Sequence, residues 1–303
     1  MKYASLLMLL ASVAHAGKFA TDIKDLGDRN PARRGAAFYK LAFASSAATD
    51  DLVNGLKASS APVRIQCLNL LGRTRNTKGL AAAANAAKKD SDWMVRREAV
   101  STLSRFDDPR ATSILQDAAL HDAVINVRLE ALTRYSRERG LRAIPFLKKF
   151  TADPNIMARL VSARELARDG DASGRELALS SLRARSPYIR QEAIGVLGYI
   201  GKRADEDKLK RIADDPKEAV LIRFDARRMI RHMDLAREPA AQQLSTLKSA
   251  MADSAQATRL WAASELAERG DSASLAALKE VARDQNAVGR VEAARALFTL
   301  ESR

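Results

Sequence analysis

Arginine is the residue whose spacing in this chain most invites a chemical reading. Taking Arg33, Arg64, Arg96, Arg128, Arg159, Arg190, Arg223, Arg259 and Arg290 as markers, the position nine residues on holds Arg73, Arg105, Arg137 and Arg168 in four successive copies, then Tyr199, His232 and Glu268. Five residues on come Asn69, Ser101, Thr133 and Arg164, with Arg228 and Arg295 later, and Trp261 stands two residues after Arg259. Offsets of 2, 5 and 9 share one face of an α-helix. Regular stacking of such helices would set these side chains in a row, roughly one guanidinium per 10 Å. Planar, bidentate donors in a row suit carboxylates or phosphates. The plainer role is structural: arginine near a helix C-terminus caps loose carbonyls and complements the helix dipole by about 0.3–1 kcal/mol. The candidate partner-binding residues are therefore Arg73, Arg105, Arg137, Arg164, Arg168, Arg228 and Trp261. For Trp261 the competing role is packing against a neighbouring helix, and Trp93, ahead of Val95, is expected in the core.

Catalytic chemistry finds less support. Two residues after the markers runs an acidic column, Glu98, Glu130, Glu192, Asp225 and Glu292. Neighbours in it would be one repeat apart, near the carboxylate separation of an inverting glycosidase; such a column is more simply a solvated face paired with Lys or Arg. The one cysteine, Cys67, excludes an intramolecular disulfide framework and Cys-rich metal sites, and is expected as a buried packing residue. His121 and His232 lie more than three repeats apart. At 8–10 Å per packed helix that is about 30 Å, too far for one metal ion. No serine has a histidine nearby to activate it, and the glycines are scattered rather than gathered in a phosphate-cradling loop. The expectation is a protein that is not an enzyme, with no catalytic, cofactor-binding or metal residue assigned.

What positions the arginines is a repeat. The chain has 303 residues, 47% hydrophobic, enough to fill a core and exclude wholesale disorder. Its 51 Lys+Arg against 37 Asp+Glu, a net +14, favours acidic partners without bearing on fold. The markers are 31, 32, 32, 31, 31, 33, 36 and 31 residues apart. Three residues after each stands a small residue (Ala36, Cys67, Ala99, Ala131, Ser162, Ala193, Ala226, Ala262, Ala293). Seven after stands a large apolar one (Leu71, Leu103, Tyr135, Leu166, Leu197, Ile230, Leu266, Leu297), except in the first copy, where Lys40 falls between Tyr39 and Leu41. Offsets 0, 3 and 7 are helical spacing. Six residues upstream, Asp90, Asp122, Asp153, Asp253 and Asp284 supply turn and cap chemistry. A second helical pattern precedes each marker helix, as at Ile144-Pro145-Phe146-Leu147, with Gly140 or Gly170-Asp171 at the junctions. Each unit is thus a helical hairpin, which can bury its apolar face only by stacking on others. The 36-residue interval holds an insertion around Asp234 to Gln242, expected as an irregular or longer loop.

With DSDWMVRREAVSTL and HDAVINVRLEALTRY as its clearest copies, the chain resembles the HEAT-repeat (HEAT-like, PBS-lyase-type, armadillo-like) family over about residues 28 to 300. The resemblance implies an all-α fold, a right-handed α-solenoid of about nine hairpins whose second helices line the concave side. It also implies that Arg64, Arg96, Arg128, Arg159, Arg190, Arg223, Arg259 and Arg290 form a structural ladder with aspartates such as Asp90, Asp122 and Asp153. The family holds bilin lyase subunits and alkyl-DNA glycosylases, but scaffolds and adaptors are far commoner. The His-Glu pairs of its di-iron hydroxylases are missing here.

Residues 1–16, MKYASLLMLLASVAHA, read as a secretory signal: Lys2, an apolar run, then Ala14-His15-Ala16 with small residues at −3 and −1. The run is about half the ~20 residues of a membrane span, and no cysteine follows it to take a lipid anchor. The domain expectation is a signal peptide at 1–16, cleaved after Ala16, and a single solenoid at 17–303, in the periplasm or outside the cell. The functional expectation is an exported, non-enzymatic binding scaffold that holds an acidic protein or peptide on its concave face. The alternatives are a polyanion, lipid-headgroup or nucleic-acid binder of the glycosylase type, or a helper resembling bilin lyase subunits. Positive charge favours nucleic acid; the lack of repeated aromatics for base stacking counts against it.

Overall fold

The computed structural model describes residues 17–301, and among them every regular element is a helix. The signal-peptide expectation, on 1–16, lies outside the described residues. The helices gather into two compact units that divide at Arg139/Gly140. The sequence reads as one array; the division falls where Gly140 takes a left-handed φ of 52° and a 3-10 turn interrupts the helical rhythm.

The first unit holds four hairpins: α1 (Ala20–Asp25) with α2 (Pro31–Ala44), α3 (Thr49–Gly55) with α4 (Ala61–Thr74), α5 (Thr77–Lys89) with α6 (Trp93–Leu103), and α7 (Pro109–His121) with α8 (Ile125–Arg139). The second holds five: α9 (Ile144–Leu147) with α10 (Ile156–Arg168), α11 (Arg175–Ser181) with α12 (Pro187–Ile200), α13 (Arg203–Asp214) with α14 (Val220–Arg237), α15 (Ala240–Met251) with α16 (Gln256–Arg269), and α17 (Ser272–Arg283) with α18 (Arg290–Glu301). Starts are fixed by Asn and Asp caps: Asn30, Asn76, Asp92, Asp108, Asn155 and Asp271 each accept a backbone N–H of the following first turn. The small and large apolar positions of the repeat are the core. Cys67, Ala99, Ala131 and Ala193 are fully buried, as are Leu71, Leu103, Leu166 and Leu197.

The repeat arginine ties its own turn to the next. Arg64 donates two hydrogen bonds to Asp90 at 2.8 and 2.9 Å, and Arg96 two to Asp122 at 2.8 and 3.1 Å. Through Nη1 the same arginines bond carbonyls five and six residues upstream, as do Arg159, Arg190 and Arg259; Arg128 bonds the one six upstream, Asp122 O. Each turn aspartate meanwhile accepts a backbone N–H two residues on, Asp153 from Asn155 among them. The Asp90 and Asp122 pairs hold Arg64 and Arg96 above the ordinary guanidinium range. Further along, glutamates substitute as acceptors: Glu218 for Arg190 at 2.6 Å and Glu292 for Arg259 at 3.1 Å. Arg223 leaves its Nε buried and unbonded, and Arg290 stands exposed on α18.

Two expectations are corrected. The first repeat arginine is Arg34, not Arg33: Arg34 Nη1 bonds the carbonyls of Asp28 and Arg29 at 2.8 and 3.0 Å, the signature bonds of the other copies, while Arg33 is exposed beside Asp28. In this register Ala37 and Leu41 fill the small and large positions, both buried, and the apparent departure at Lys40 disappears. The insertion near Asp234 is not a loop. It lengthens α14 to 18 residues, and only Glu238 and Pro239 separate α14 from α15. Nothing before Pro239 breaks a helix, and Arg237 bonds Asp234 one turn back and Glu206 on α13.

Eight residues after the repeat arginine lies another small position: Ala42, Gly72, Ser104, Ser136, Ala167, Gly198 and Ala267. It is where the next second helix approaches; a Cβ on Gly198 would overlap Met229, and one on Gly72 would press on Arg105. Arg231 fills this slot on α14. There the stacking loosens: α12 packs closely on α14, but α14 and α16 do not repeat that pairing. The apolar core from Leu160 to Met233 is accordingly distinct from the one that runs from Leu235 to Ala293.

Candidate functional site

The face formed by offsets 2, 5, 6 and 9 of the second helices differs between the units. In the first it is built by α4, α6 and α8. Arg73 and Arg137 are exposed and Arg105 is half-buried. Arg105 donates to the Asn69 carbonyl at 3.1 Å and leaves Nε unbonded, with Asn69 Oδ1 unbonded beside it. Arg73 lies over the Phe38 ring at 5.7 Å. Arg134 bonds Glu130 at 2.7 Å. Burial pulls Arg105 below the ordinary guanidinium range; Glu98 opposes, and Arg134, Arg73 and Arg75 add to the depression. Burial likewise raises Glu98, against Arg105 and with Glu130. Arg105 thus has one carboxylate, Glu98, and three cations, Arg134, Arg73 and Arg75, acting on it.

The second unit closes the same positions on themselves. Glu165, 1% exposed, sits between Arg164 and Arg168 at 2.9 and 3.0 Å. Arg164 also reaches Glu192 at 2.6 Å, and Arg168 reaches Glu268 at 3.1 Å. Tyr199 donates to Glu268 at 2.8 Å, and His232, edge-on to Tyr199, shares a hydrogen bond with Glu265 at 2.9 Å. Burial draws Arg164 and Arg168 down, yet Glu192 and Glu165 around the first, and Glu165 and Glu268 around the second, hold both above the ordinary range. Glu268 stays low despite burial, because the Tyr199 hydroxyl and Arg168 favour its carboxylate. Three arginines, Arg164, Arg168 and Arg228, thus meet four acids, Glu165, Glu192, Glu268 and Asp225, while Glu265 pairs with His232.

The expected arginine row therefore does not continue into the second unit as a ligand-facing surface. Arg164 and Arg168 are taken up by internal carboxylates, and Arg228 lies 3.7 Å from Asp225. Trp261 is not a surface contact: it is 6% exposed, in the core with Leu247 and Leu266, beneath Arg231 at 6.0 Å. Offset 2 places it on the side of α16 that meets α14, under Arg231. Trp93 is half-buried at the start of α6 under Arg97, rather than in the core. Cys67 is wholly buried, and burial pushes its thiol up to about 12. The sequence reading missed Glu165 and Glu265, whose signal is an acid at offset 6, where the first unit has Leu70, Thr102 and Arg134. It also missed Tyr39 and Phe43. In the Arg34 register they occupy offsets 5 and 9, and both are exposed.

Elsewhere, His121 lines a cleft of about 460 Å³ with Asp117, Asp122 and Arg96. Among the described residues no group of three or more His, Cys, Asp or Glu is placed to hold a metal ion, and no helix is long and apolar enough to cross a membrane.

The family model for HEAT repeats matches residues 49–134 and 144–224, more than half of the chain, and the chain belongs to that family. No curated protein matches. Among solved structures, the YibA protein of Escherichia coli is similar at 14% identity, over 89% of this chain and 98% of its own, with a TM-score of 0.48. The complex of CpcE and CpcF of phycocyanin lyase from Nostoc matches at 22% identity, over 70% and 92%, with a TM-score of 0.44. Human deoxyhypusine hydroxylase matches at 18% identity, over 97% and 99%, with a TM-score of 0.38.

Proposed function

We propose that this HEAT-repeat chain is an exported, non-enzymatic binding scaffold, and that the second-helix face of α4, α6 and α8 holds an acidic protein or peptide segment. The observation that carries the reading is the positive surplus around Arg105. Its neighbours Arg73 and Arg134 share its sign, so a carboxylate arriving there relieves repulsion as well as forming charge-assisted bonds. Arg164 and Arg168 of the second unit offer less, since each already pairs with acids of the fold. A fluorescent oligoglutamate peptide titrated onto the chain lacking residues 1–16 tests this. It should bind the wild type and lose about tenfold or more in an Arg73→Gln/Arg105→Gln/Arg137→Gln variant, while an Arg228→Gln variant should bind as the wild type does. Equal binding by the triple variant overturns the reading. Base release from DNA or hydrolytic turnover by the purified chain would overturn its non-enzymatic part.

Export draws support from Gly17. A Cβ at this residue would overlap the Asp51 carboxylate, which also accepts the Phe19 N–H at 3.2 Å. The Gly17 nitrogen therefore lies within about 4 Å of that carboxylate. Cleavage after Ala16 would turn this nitrogen into an ammonium with its counter-ion in place. N-terminal sequencing of the protein from the cell envelope or medium should begin at Gly17; an uncleaved chain in the cytoplasm would overturn this part of the proposal.

A further inference from the structure

Phe43 is 87% exposed and Tyr39 65%, on consecutive turns of α2. Side by side, two large aromatics make a contiguous exposed apolar patch, which marks a contact site where scattered single residues do not. Their register matters more than their exposure. Arg34 makes the signature bonds of the repeat arginine, so Tyr39 is the counterpart of Asn69, and Phe43 of Arg73, Arg105 and Arg137. The aromatic pair is thus the first position of the arginine row. The two are physically continuous: Arg73 covers the Phe38 ring at 5.7 Å, and Phe38 meets Tyr39 edge-on at 6.0 Å between centroids.

We propose that Tyr39 and Phe43 form an apolar anchor at the end of the arginine face, and that the partner is an acidic peptide segment with a large apolar residue at one end. This rests on the reading given under Proposed function and adds the partner's second recognition element. From Phe43 to Arg137 is three hairpin steps of about 10 Å, the length of about ten extended residues. Aromatic and arginine side chains together are the usual energetic centres of such interfaces. One feature favours peptide over single-stranded nucleic acid. The aromatics form one patch, whereas base stacking along a strand calls for a platform at each step.

The test uses the chain lacking residues 1–16 and two labelled peptides of about ten residues. One is glutamate-rich with Leu-Trp at one end, made in both orientations; the other has Gly-Ser in place of Leu-Trp. A Tyr39→Ser/Phe43→Ser variant should bind the Leu-Trp peptide about tenfold more weakly than the wild type and the Gly-Ser peptide equally well. It should keep the wild-type melting temperature, because both side chains are exposed. If the double variant binds the Leu-Trp peptide as tightly as the wild type while the arginine triple variant loses both peptides, the anchor is wrong and the charge reading stands. If the wild type binds neither peptide, the charge reading fails and the anchor falls with it. Binding of oligodeoxythymidine more tightly than either peptide, lost in the Tyr39/Phe43 variant, would overturn the peptide in favour of nucleic acid.

Discussion

Arg105 and Arg168 occupy the same position in the repeat and do different things. Both project from the end of a second helix beside its neighbour, and burial acts on both. Around Arg168 stand Glu165 and Glu268, so its charge is neutralised within the fold. Around Arg105 stand Glu98 and three further arginines, and its Nε is bonded to nothing. The difference traces to offset 6, an acid on α10 and α16 but Leu70, Thr102 or Arg134 on α4, α6 and α8. A column of identical residues thus says nothing about role until the positions that face it are known. In the second unit Arg164 and Arg168 are paired within the fold; in the first, Arg105 stands among arginines of its own sign.

The sharpest way to break this comparison is to remove one member from each side. Glu165→Ala takes away the carboxylate between Arg164 and Arg168 and leaves buried cations short of a partner, at a cost of about 3–5 kcal/mol. Arg105→Met takes away a charge whose burial is poorly compensated, and should cost no more than about 1 kcal/mol or be neutral. Hydrogen exchange of α10 and of α6 in the full chain, read beside denaturant unfolding, reports the two effects separately. Comparable losses in the two variants would mean that Arg105 is as much a structural residue as Glu165.

A smaller effect sharpens the packing side of the contrast. Gly198→Ala places a methyl against Met229 in the slot where α14 approaches α12, and overpacking there should cost about 1–3 kcal/mol. Arg231→Ala restores a small residue to the same slot on α14, where no tight approach exists to be improved, and should change stability by less than about 0.5 kcal/mol in either direction. Thermal unfolding compares the two. A large loss at Arg231 would show that its contact with Trp261 holds α14 to α16.

These positions also separate what local spacing determines from what only the fold brings together. Offsets 0, 3 and 7 bury side chains by helical geometry alone, so the hairpins were legible from spacing. The first copy reads one residue out of register because Arg33 and Arg34 are adjacent and only hydrogen bonds to Asp28 and Arg29 tell them apart. That single step hid Tyr39 and Phe43 as members of the polar stripe. Arg164 and Arg168 looked like ligand-facing residues because their acids come from helices distant in sequence: Glu268 is a hundred positions from Arg168, a separation no local pattern reveals. The helical insertion was misread for a related reason, since Pro239 sets the end of α14 and length alone does not make a loop.

The smallest expected effect is a pair of opposite titrations. Glu268 is held low in the folded state by Tyr199 and Arg168 against its burial. Its contribution to stability is present above the ordinary glutamate range and is lost as pH falls through the depressed folded value. Glu98 is raised by burial, with Arg105 opposing and Glu130 adding. It therefore binds its proton more readily folded than unfolded, and its ionisation cost at neutral pH is relieved as pH falls through the raised value. Glu192 is raised as well, by burial against Arg164, so the contrast belongs to these two sites and not to every acid of each unit. Carbon-13 titration of the glutamate carboxyls should place Glu98 above, and Glu268 below, the ordinary glutamate range. Adding the acidic peptide should then move Glu98 further up, because the ligand brings negative charge beside Arg105 and draws on the field that had favoured the Glu98 carboxylate. Glu268, whose partners are internal, should not move. A ligand-induced shift at Glu268 with none at Glu98 would place the binding face in the second unit and reverse the comparison.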